Sequence, residues 1–569
     1  MKRCPQCNLV TDDAVSFCRV DGVRLEESSS GDDSKTVALL PDGSVAPSAM
    51  DEWLSARDKS LSAPAAATTV MDSLRAMSPT GYLFGGRRHW IGIAAVSVIV
   101  ALTLSGSVYY SLSRKKNAVI NSLAVLPFIN VNADQQLEYL SDGMTETLIY
   151  DLSQLPKLNV KARSSVFRYK GKDVPPHTVG ADLNVQAVLN GRIGLLGDML
   201  TLNLELADAQ TENVIWSEQY NSRQTNLVSL QSEIARDVSN KLRARLSGAD
   251  VQMVSKTYTS SAEAYQLYLK GRFHWNKRTS KDLEKAIEYF NQAITLDPNY
   301  ALAYAGLADA YVVLPLYRTV PSGEDAPKAR EAATRALSLD GSLVEAHTAL
   351  ALVNIYENNF AGAELEGKRA IELNPNYATA HHWYGVILYC LGRQEEAQTE
   401  LKRALEIDPL SLIINVSYGE CLLYARRYDD AIAQLSKTLE LDAGFAAAHS
   451  NLARMYLAKG SCAEAVSEFA RYQELAGEPQ TASLMRESFA KGGWQGFLRR
   501  MTGEQRPASL PRYEVVVFYA ALGEKQEAFA ELNKSYKIFG RILRGDPLLD
   551  PLRDDPRFGV LVRNVGFPQ

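Results

Sequence analysis

The chain has 569 residues, 46% hydrophobic and 22% charged, with 61 basic and 66 acidic side chains and a net charge of −5. That length asks for several domains, and the balance of apolar to charged residues is that of a folded chain. The lack of a basic excess argues against nucleic-acid binding as a main role, and six cysteines, three of them crowded at Cys4, Cys7 and Cys18, do not make a disulfide framework.

Residues 1–25 form a compact cysteine unit. Cys4, Cys7, Cys18 and Asp21 follow a C-x2-C-x10-C-x2-D pattern. Two short-spaced pairs joined by a loop suit the tetrahedral corners around Zn2+. The unit resembles the zinc-ribbon heads of many bacterial proteins, in which a fourth cysteine stands where Asp21 stands here. It is read as a structural zinc site with no open coordination position. Redox-active thiols and a metal-free knuckle are the alternatives.

Residues 26–86, rich in Ser, Ala, Thr, Asp and Pro, read as a flexible linker. Residues 90–112 carry no charge, which matches the ~20 residues a helix needs to cross a bilayer. Arg87 and Arg88 precede this run, Arg114, Lys115 and Lys116 follow it, and Trp90, Tyr109 and Tyr110 sit at interfacial depth. We read it as a single transmembrane helix, with a buried core helix as the competing reading. Ser97, Ala101 and Ser105 form a small-residue stripe on which two such helices could pair into a homodimer. Flanking charges tie, and thiolate ligands favour a reducing compartment. The expected topology is therefore a bacterial inner-membrane protein with its N-terminus cytoplasmic and its C-terminal domains outside.

Residues 118–249 alternate strand and helix patterns and predict a mixed α/β domain. Leu123 to Phe128 is an apolar strand, and Leu137, Leu140, Met144, Leu148 and Leu152 share a helical face. Proline opens a short helix over 176–183. Leu200, Leu202, Leu204 and Leu206 alternate with polar residues as a half-buried strand does, after a turn at Gly197-Asp198. Residues 227–246 close the domain as an amphipathic helix.

From residue 262 to 478 the chain repeats itself. Ala286, Ala329, Ala363, Ala397, Ala431 and Ala465 are spaced 43, 34, 34, 34 and 34 residues apart. Asp297, Asp340, Asn374, Asp408 and Asp442 keep the same intervals at helix ends, and Ala308, Ala351, Gly385, Gly419 and Ala453 form a third series. Small residues recur where the helices of a hairpin cross closely. The one long interval places nine extra residues between two helices, in the proline-containing stretch 314–327. A 34-residue period with this pattern resembles the tetratricopeptide repeat, and implies an all-α superhelix with a concave face for a protein or peptide ligand. Its register projects Asp309, His382, Tyr389, Glu420 and Arg454 onto that face. Residues 480–569 hold an irregular stretch, a further hairpin with Ala528 and Leu532, and a C-terminal cap.

The motifs Asn121 to Phe128, Tyr139 to Glu146, Val188 to Arg192 and Val214 to Tyr220 resemble the TolB amino-terminal-like domain that precedes tetratricopeptide arrays in bacteria. In that family the cytoplasmic head varies: winged helix, kinase or nucleotide cyclase. The resemblance implies an extracytoplasmic sensing or assembly module. No catalytic constellation accompanies it. The stretch from Gly362 to Arg369 resembles a P-loop but has Arg369 where Mg2+ needs a hydroxyl, and His381-His382 lacks metal-pair spacing. Asp142 and Glu146 read as a solvated helix face. The expectation is a membrane-anchored, non-enzymatic scaffold or sensor. The alternative is a transcriptional or signalling regulator whose zinc ribbon touches nucleic acid or a regulatory partner.

Overall fold

A computed structural model describes residues 2–3, 10–11, 26–27 and 120–567, apart from 133, 156–157, 243–247 and 318–323. Two units divide the chain, Met1–Tyr109 and Tyr110–Gln569. In the first, β1 (Lys2–Arg3) pairs antiparallel with β2 (Val10–Thr11) and with β3 (Glu26–Glu27). The candidate ligands Cys4, Cys7, Cys18 and Asp21 and the segment 90–112 lie outside the described residues. Among the described residues, no helix is long and apolar enough to cross a membrane.

The second unit begins with a mixed sheet in the order β6-β4-β7-β8-β9, with β5 also paired to β7. The strands are β4 (Ser122–Val125), β5 (Ile129–Asn130), β6 (Asn159–Val160), β7 (Ala187–Leu196), β8 (Met199–Asp208) and β9 (Val214–Arg223). Leu123, Ala124 and Val125 are all fully buried, as an apolar strand covered on both faces must be. The apolar run does not continue as one strand to Phe128. Pro127 interrupts it, having no N–H for the ladder, and pairing resumes at Ile129. Leu200, Leu202, Leu204 and Leu206 point into the core. Leu196 pairs with Met199 across the turn, where Gly197 takes φ +63°.

Around this sheet stand α1 (Gln135–Ser153), α2 (Arg163–Phe167), α3 (Pro176–Leu183), α4 (Leu227–Leu242) and α5 (Gly248–Val254), the last packed on α1 and α4. Helical hairpins follow: α6 (Ala262–Asn276) with α7 (Ser280–Leu296), α8 (Ala301–Val313) with α9 (Asp325–Leu339), and α10 (Val344–Tyr356) with α11 (Phe360–Leu373). The next are α12 (Ala378–Cys390) with α13 (Gln394–Ile407), α14 (Leu412–Tyr424) with α15 (Tyr428–Leu441), and α16 (Ala446–Lys459) with α17 (Cys462–Leu475). The small-residue series does what its spacing implies. Ala286, Ala329, Ala363, Ala397, Ala431 and Ala465 are fully buried, and a Cβ on Gly385 would lie 2.6 Å from Leu401. The long interval falls between α8 and α9. Successive first helices touch one another and form the inner layer of the superhelix.

Beyond the repeats, residues read as irregular are helical: α18 (Pro479–Thr502) breaks only at Gly493, which takes φ +58°. The chain ends with α19 (Arg512–Leu522), α20 (Lys525–Leu543), a 3-10 turn (Pro547–Leu549), α21 (Asp550–Arg553) and α22 (Pro556–Val565).

Candidate functional site: the inner face and edges of the superhelix

Along α10, α12 and α14 only Ile413 is exposed. The chain itself covers these inner helices, from two sides.

The α/β domain covers one edge, using the Asp/Asn series. Each of these residues ends the second helix of a hairpin, and in most one side-chain oxygen accepts from the backbone two residues on. Asn299 N donates to Asp297 at 3.0 Å, Ser342 N to Asp340 at 3.1 Å, and Asn376 N to Asn374 at 2.9 Å. The rest of the side chain reaches outward. Thr259 Oγ1 donates to Asp297 at 2.6 Å and Lys256 Nζ to Asp340 at 2.6 Å. Asn374 Nδ2 donates to Ser153 at 3.1 Å, Ser165 Oγ donates to Asp408 at 2.6 Å, and Ser164 donates to Asp408 as well. Lys161 Nζ donates to the carbonyl of Glu406 at 2.7 Å, placing a cation at the C-terminal end of α13, where the helix dipole favours it. Four successive hairpins thus hold the α/β domain and its connector. The fifth residue of the series, Asp442, accepts from Gly444 N at 2.8 Å within its own turn.

Helix α1 fits onto the inner layer. A Cβ on Gly143 would lie 2.9 Å from Leu269, so only glycine permits this approach of α1 to α6. Glu146, read from sequence as solvated, is instead clamped by Arg272 at 2.5 Å, Arg163 at 3.2 Å and Asn276 at 2.6 Å. Asp142, likewise, is 4% exposed and held by Lys170 at 2.6 Å. A four-residue spacing of carboxylates could not show that a later helix supplies the counter-ions. Asp309 joins this cluster through Arg272 at 3.4 Å, and burial lifts its carboxyl to about 6. Burial likewise lifts Glu345, which accepts from Tyr150 at 3.1 Å, to about 7. Asp151, beside Gln231, is lifted to about 8.

The C-terminal segment covers the other edge. Tyr389 donates to Glu420 at 3.0 Å, and Arg454 bridges Glu420 at 3.2 Å and Asp546 at 2.6 Å. Tyr513 also donates to the fully buried Asp546. Arg426 pairs with Asp550, and Phe567 stacks on Phe360 at 4.5 Å. The structure therefore joins Tyr389, Glu420 and Arg454 in one network, with Asp309 in the α1 cluster. His382 lies apart, buried, with Nε2 2.8 Å from Ser417 Oγ; burial depresses its ring to about 3. Asp546 and Tyr513 complete the network and were absent from the sequence projection, because nothing local marks them. Among the described residues, no group of His, Cys, Asp or Glu could hold a metal ion.

A second repeating contact stands on the outer side of the inner helices. His347, His381 and His449 each place Nδ1 near a glutamate nineteen residues on: Glu366 at 2.6 Å, Glu400 at 2.6 Å and Glu468 at 2.5 Å. Their Nε2 atoms face the carbonyls of Gly341, Pro375 and Ala443 at 3.2, 3.0 and 3.1 Å. In the fifth hairpin Asn415 and Gln434 make the equivalent bond at 2.5 Å. These staples tie the first helices of the third to sixth hairpins to their partners and to the preceding turns. The signal was in the sequence as a further 34-residue series.

These geometries define a tetratricopeptide-repeat superhelix fused to a mixed α/β domain. Residues 278–313, 378–411 and 419–479 match models of the tetratricopeptide repeat. Residues 119–237 match a model described as the second domain of HilA/YgeH-like transcriptional regulators. Among curated proteins, the chain is 31% identical over 237 residues to a putative adenylate cyclase 3 of Rhizobium meliloti (strain 1021), covering 41% of this chain and 40% of that one. It is 24% identical over 280 residues to the transcriptional regulator HilA of Salmonella typhimurium, covering 48% of each. The chain thus spans less than half the length of either relative. Solved structures similar to it include YrrB, a TPR protein with an unusual peptide-binding site, at 20% identity over 35% of this chain and 97% of that one, with a TM-score of 0.25. PilW, a type IV pilus biogenesis factor, is similar at 22% identity over 44% of this chain and 98% of that one, with a TM-score of 0.29.

Proposed function

We propose that this chain is a membrane-anchored, non-enzymatic scaffold or sensor in the bacterial inner membrane, and that its repeats engage protein partners from the surface the chain leaves open. The observation that supports this reading most is the covered inner face. The superhelix spends its concave side on its own α/β domain and C-terminal segment, so a partner meets the outer helices unless it displaces one of them. Similarity to relatives with two different printed activities, a cyclase and a transcriptional regulator, fits a shared receiving or coupling module better than a shared reaction. The regulatory alternative draws on the HilA-like match over 119–237. In both versions residues 90–112 span the membrane, the α/β domain is TolB-like, and Cys4, Cys7, Cys18 and Asp21 hold a structural zinc ion.

The test is photo-crosslinking in cells expressing the full chain, with a photoreactive residue in place of Leu365 or Leu441, apolar side chains exposed on outer helices, or of buried His382. Crosslinks to other proteins from the outer positions, absent at His382, are expected. Turnover of a nucleotide by the purified chain, with no crosslink from any outer position, would replace the scaffold reading with an enzymatic one.

A further inference from the structure

The second hairpin departs from the stapled pattern. Subtracting the insertion, Tyr304 stands where later hairpins have His347, His381, Asn415 and His449, and Ala332 stands where they have Glu366, Glu400, Gln434 and Glu468. With the long carboxylate replaced by a methyl group, the space between α7, α8 and α9 is left open. A furrow of about 780 Å3 lies there, floored by Tyr304, Leu307 and Tyr311, with Ala332 and Ile294 on its walls. Its rim carries Arg335 and Lys328, with Glu331 as the opposing charge. Lys328 pairs with Glu324 at 2.8 Å. Among the described residues Arg335 has no carboxylate partner: it reaches Ser338 Oγ at 3.4 Å and lies 5.8 Å from the ring centre of Tyr304.

We propose that this furrow is a docking site for an acidic peptide segment of a partner protein, inserting an aromatic or leucine side chain between Tyr304 and Tyr311 and setting a carboxylate on Arg335. This rests on the scaffold reading and names the chemistry of one partner. The volume suits one or two large side chains, which gain by leaving water against tyrosine faces and a methyl-lined wall. Arg335 makes no ion pair with Glu331, four residues before it on the same helix, so its guanidinium is open to bidentate pairing, which selects an acidic guest over a basic one. Later hairpins cannot offer the site, because their histidine and glutamate, or asparagine and glutamine, fill it.

The test uses the purified full-length chain and a fluorescein-labelled, acetylated peptide Asp-Asp-Phe-Leu-Asp-Asp-Phe-Leu, with a control in which lysine replaces each aspartate. Saturable anisotropy change with the acidic peptide and not with the lysine peptide is expected. The double variant Tyr304→His with Ala332→Glu rebuilds the staple of the other hairpins. It should bind at least ~10-fold more weakly while its melting temperature holds or rises, so lost binding cannot be ascribed to unfolding. Arg335→Ala should weaken the acidic peptide by about 5–10-fold. Equal binding by the rebuilt variant, or no preference for the acidic peptide, overturns the proposal. If it fails while crosslinks at Leu365 and Leu441 persist, the scaffold reading stands without this site; if both fail, neither survives.

Discussion

Arg454 is nine-tenths buried and is satisfied by carboxylates from two directions, Glu420 on the neighbouring inner helix and Asp546 in the C-terminal turn. Removing one partner of such a group leaves charge in a medium that solvates it poorly. Asp546→Ala should therefore cost about 3–5 kcal/mol in urea unfolding, and a loss within error of an exposed aspartate's would refute the argument. Asp151 makes a different prediction. Its carboxyl has an ordinary value of 3.8 and is lifted to about 8 by burial. Between these values the folded chain holds a proton that the unfolded chain has released. The contribution is whole below 3.8 and drains away as pH climbs toward 8. Asp151→Asn should flatten the fall in melting temperature from about pH 5 to about pH 8. Parallel curves for the two proteins would show that Asp151 ionises freely. Glu345 and Asp309 shift in the same direction, so the variant removes part of the slope and not all of it.

The Asp/Asn series shows why some elements could be read in advance and others could not. A 34-residue period is legible because close helix crossings tolerate only small side chains, and Ala363, Ala397 and Ala431 declare each crossing locally. The capping role of Asp340 or Asn374 is local too, since its acceptor and donor lie two residues apart. The second role is not, for Asp408 and Ser165 are separated by 243 residues. Likewise the register brought out Tyr389, Glu420 and Arg454 together, but only the folded chain shows Asp546 as the group that closes them off. One comparison isolates the docking role. Asp408→Ala should speed amide hydrogen exchange in α2 and β6, whereas Asp442→Ala, at the same position of the next hairpin but bonded only within its own turn, should not. Equal exchange in both would mean that the α/β domain is held without this rung. Gly143→Val should act from the other side, forcing α1 off Leu269 and exposing the connector before α6 to protease. Cleavage unchanged from wild type would show that the two helices have room to spare.

At the scale of the molecule, the α/β domain and the first hairpins share one apolar core, in which Leu148, Leu152 and Leu230 meet Leu269, Tyr300, Leu302 and Ala346. Repeat arrays that contact only their neighbours unfold piecemeal. A common core argues for one cooperative event, so a fragment of residues 118–569 should give a single calorimetric transition. Separate transitions for sheet and repeats would sever the two. The rungs at Asp297, Asp340, Asn374 and Asp408 also have a mechanical consequence. A free solenoid stretches and bends like a coil spring. One bolted at four consecutive turns to the α/β domain and its connector is splinted over that length, and beyond Asp408 the C-terminal segment takes over as the brace. A tug applied at the carboxyl end would first load the stack of Phe567 on Phe360, and would reach the turns beyond Asp408 only once that segment had peeled away.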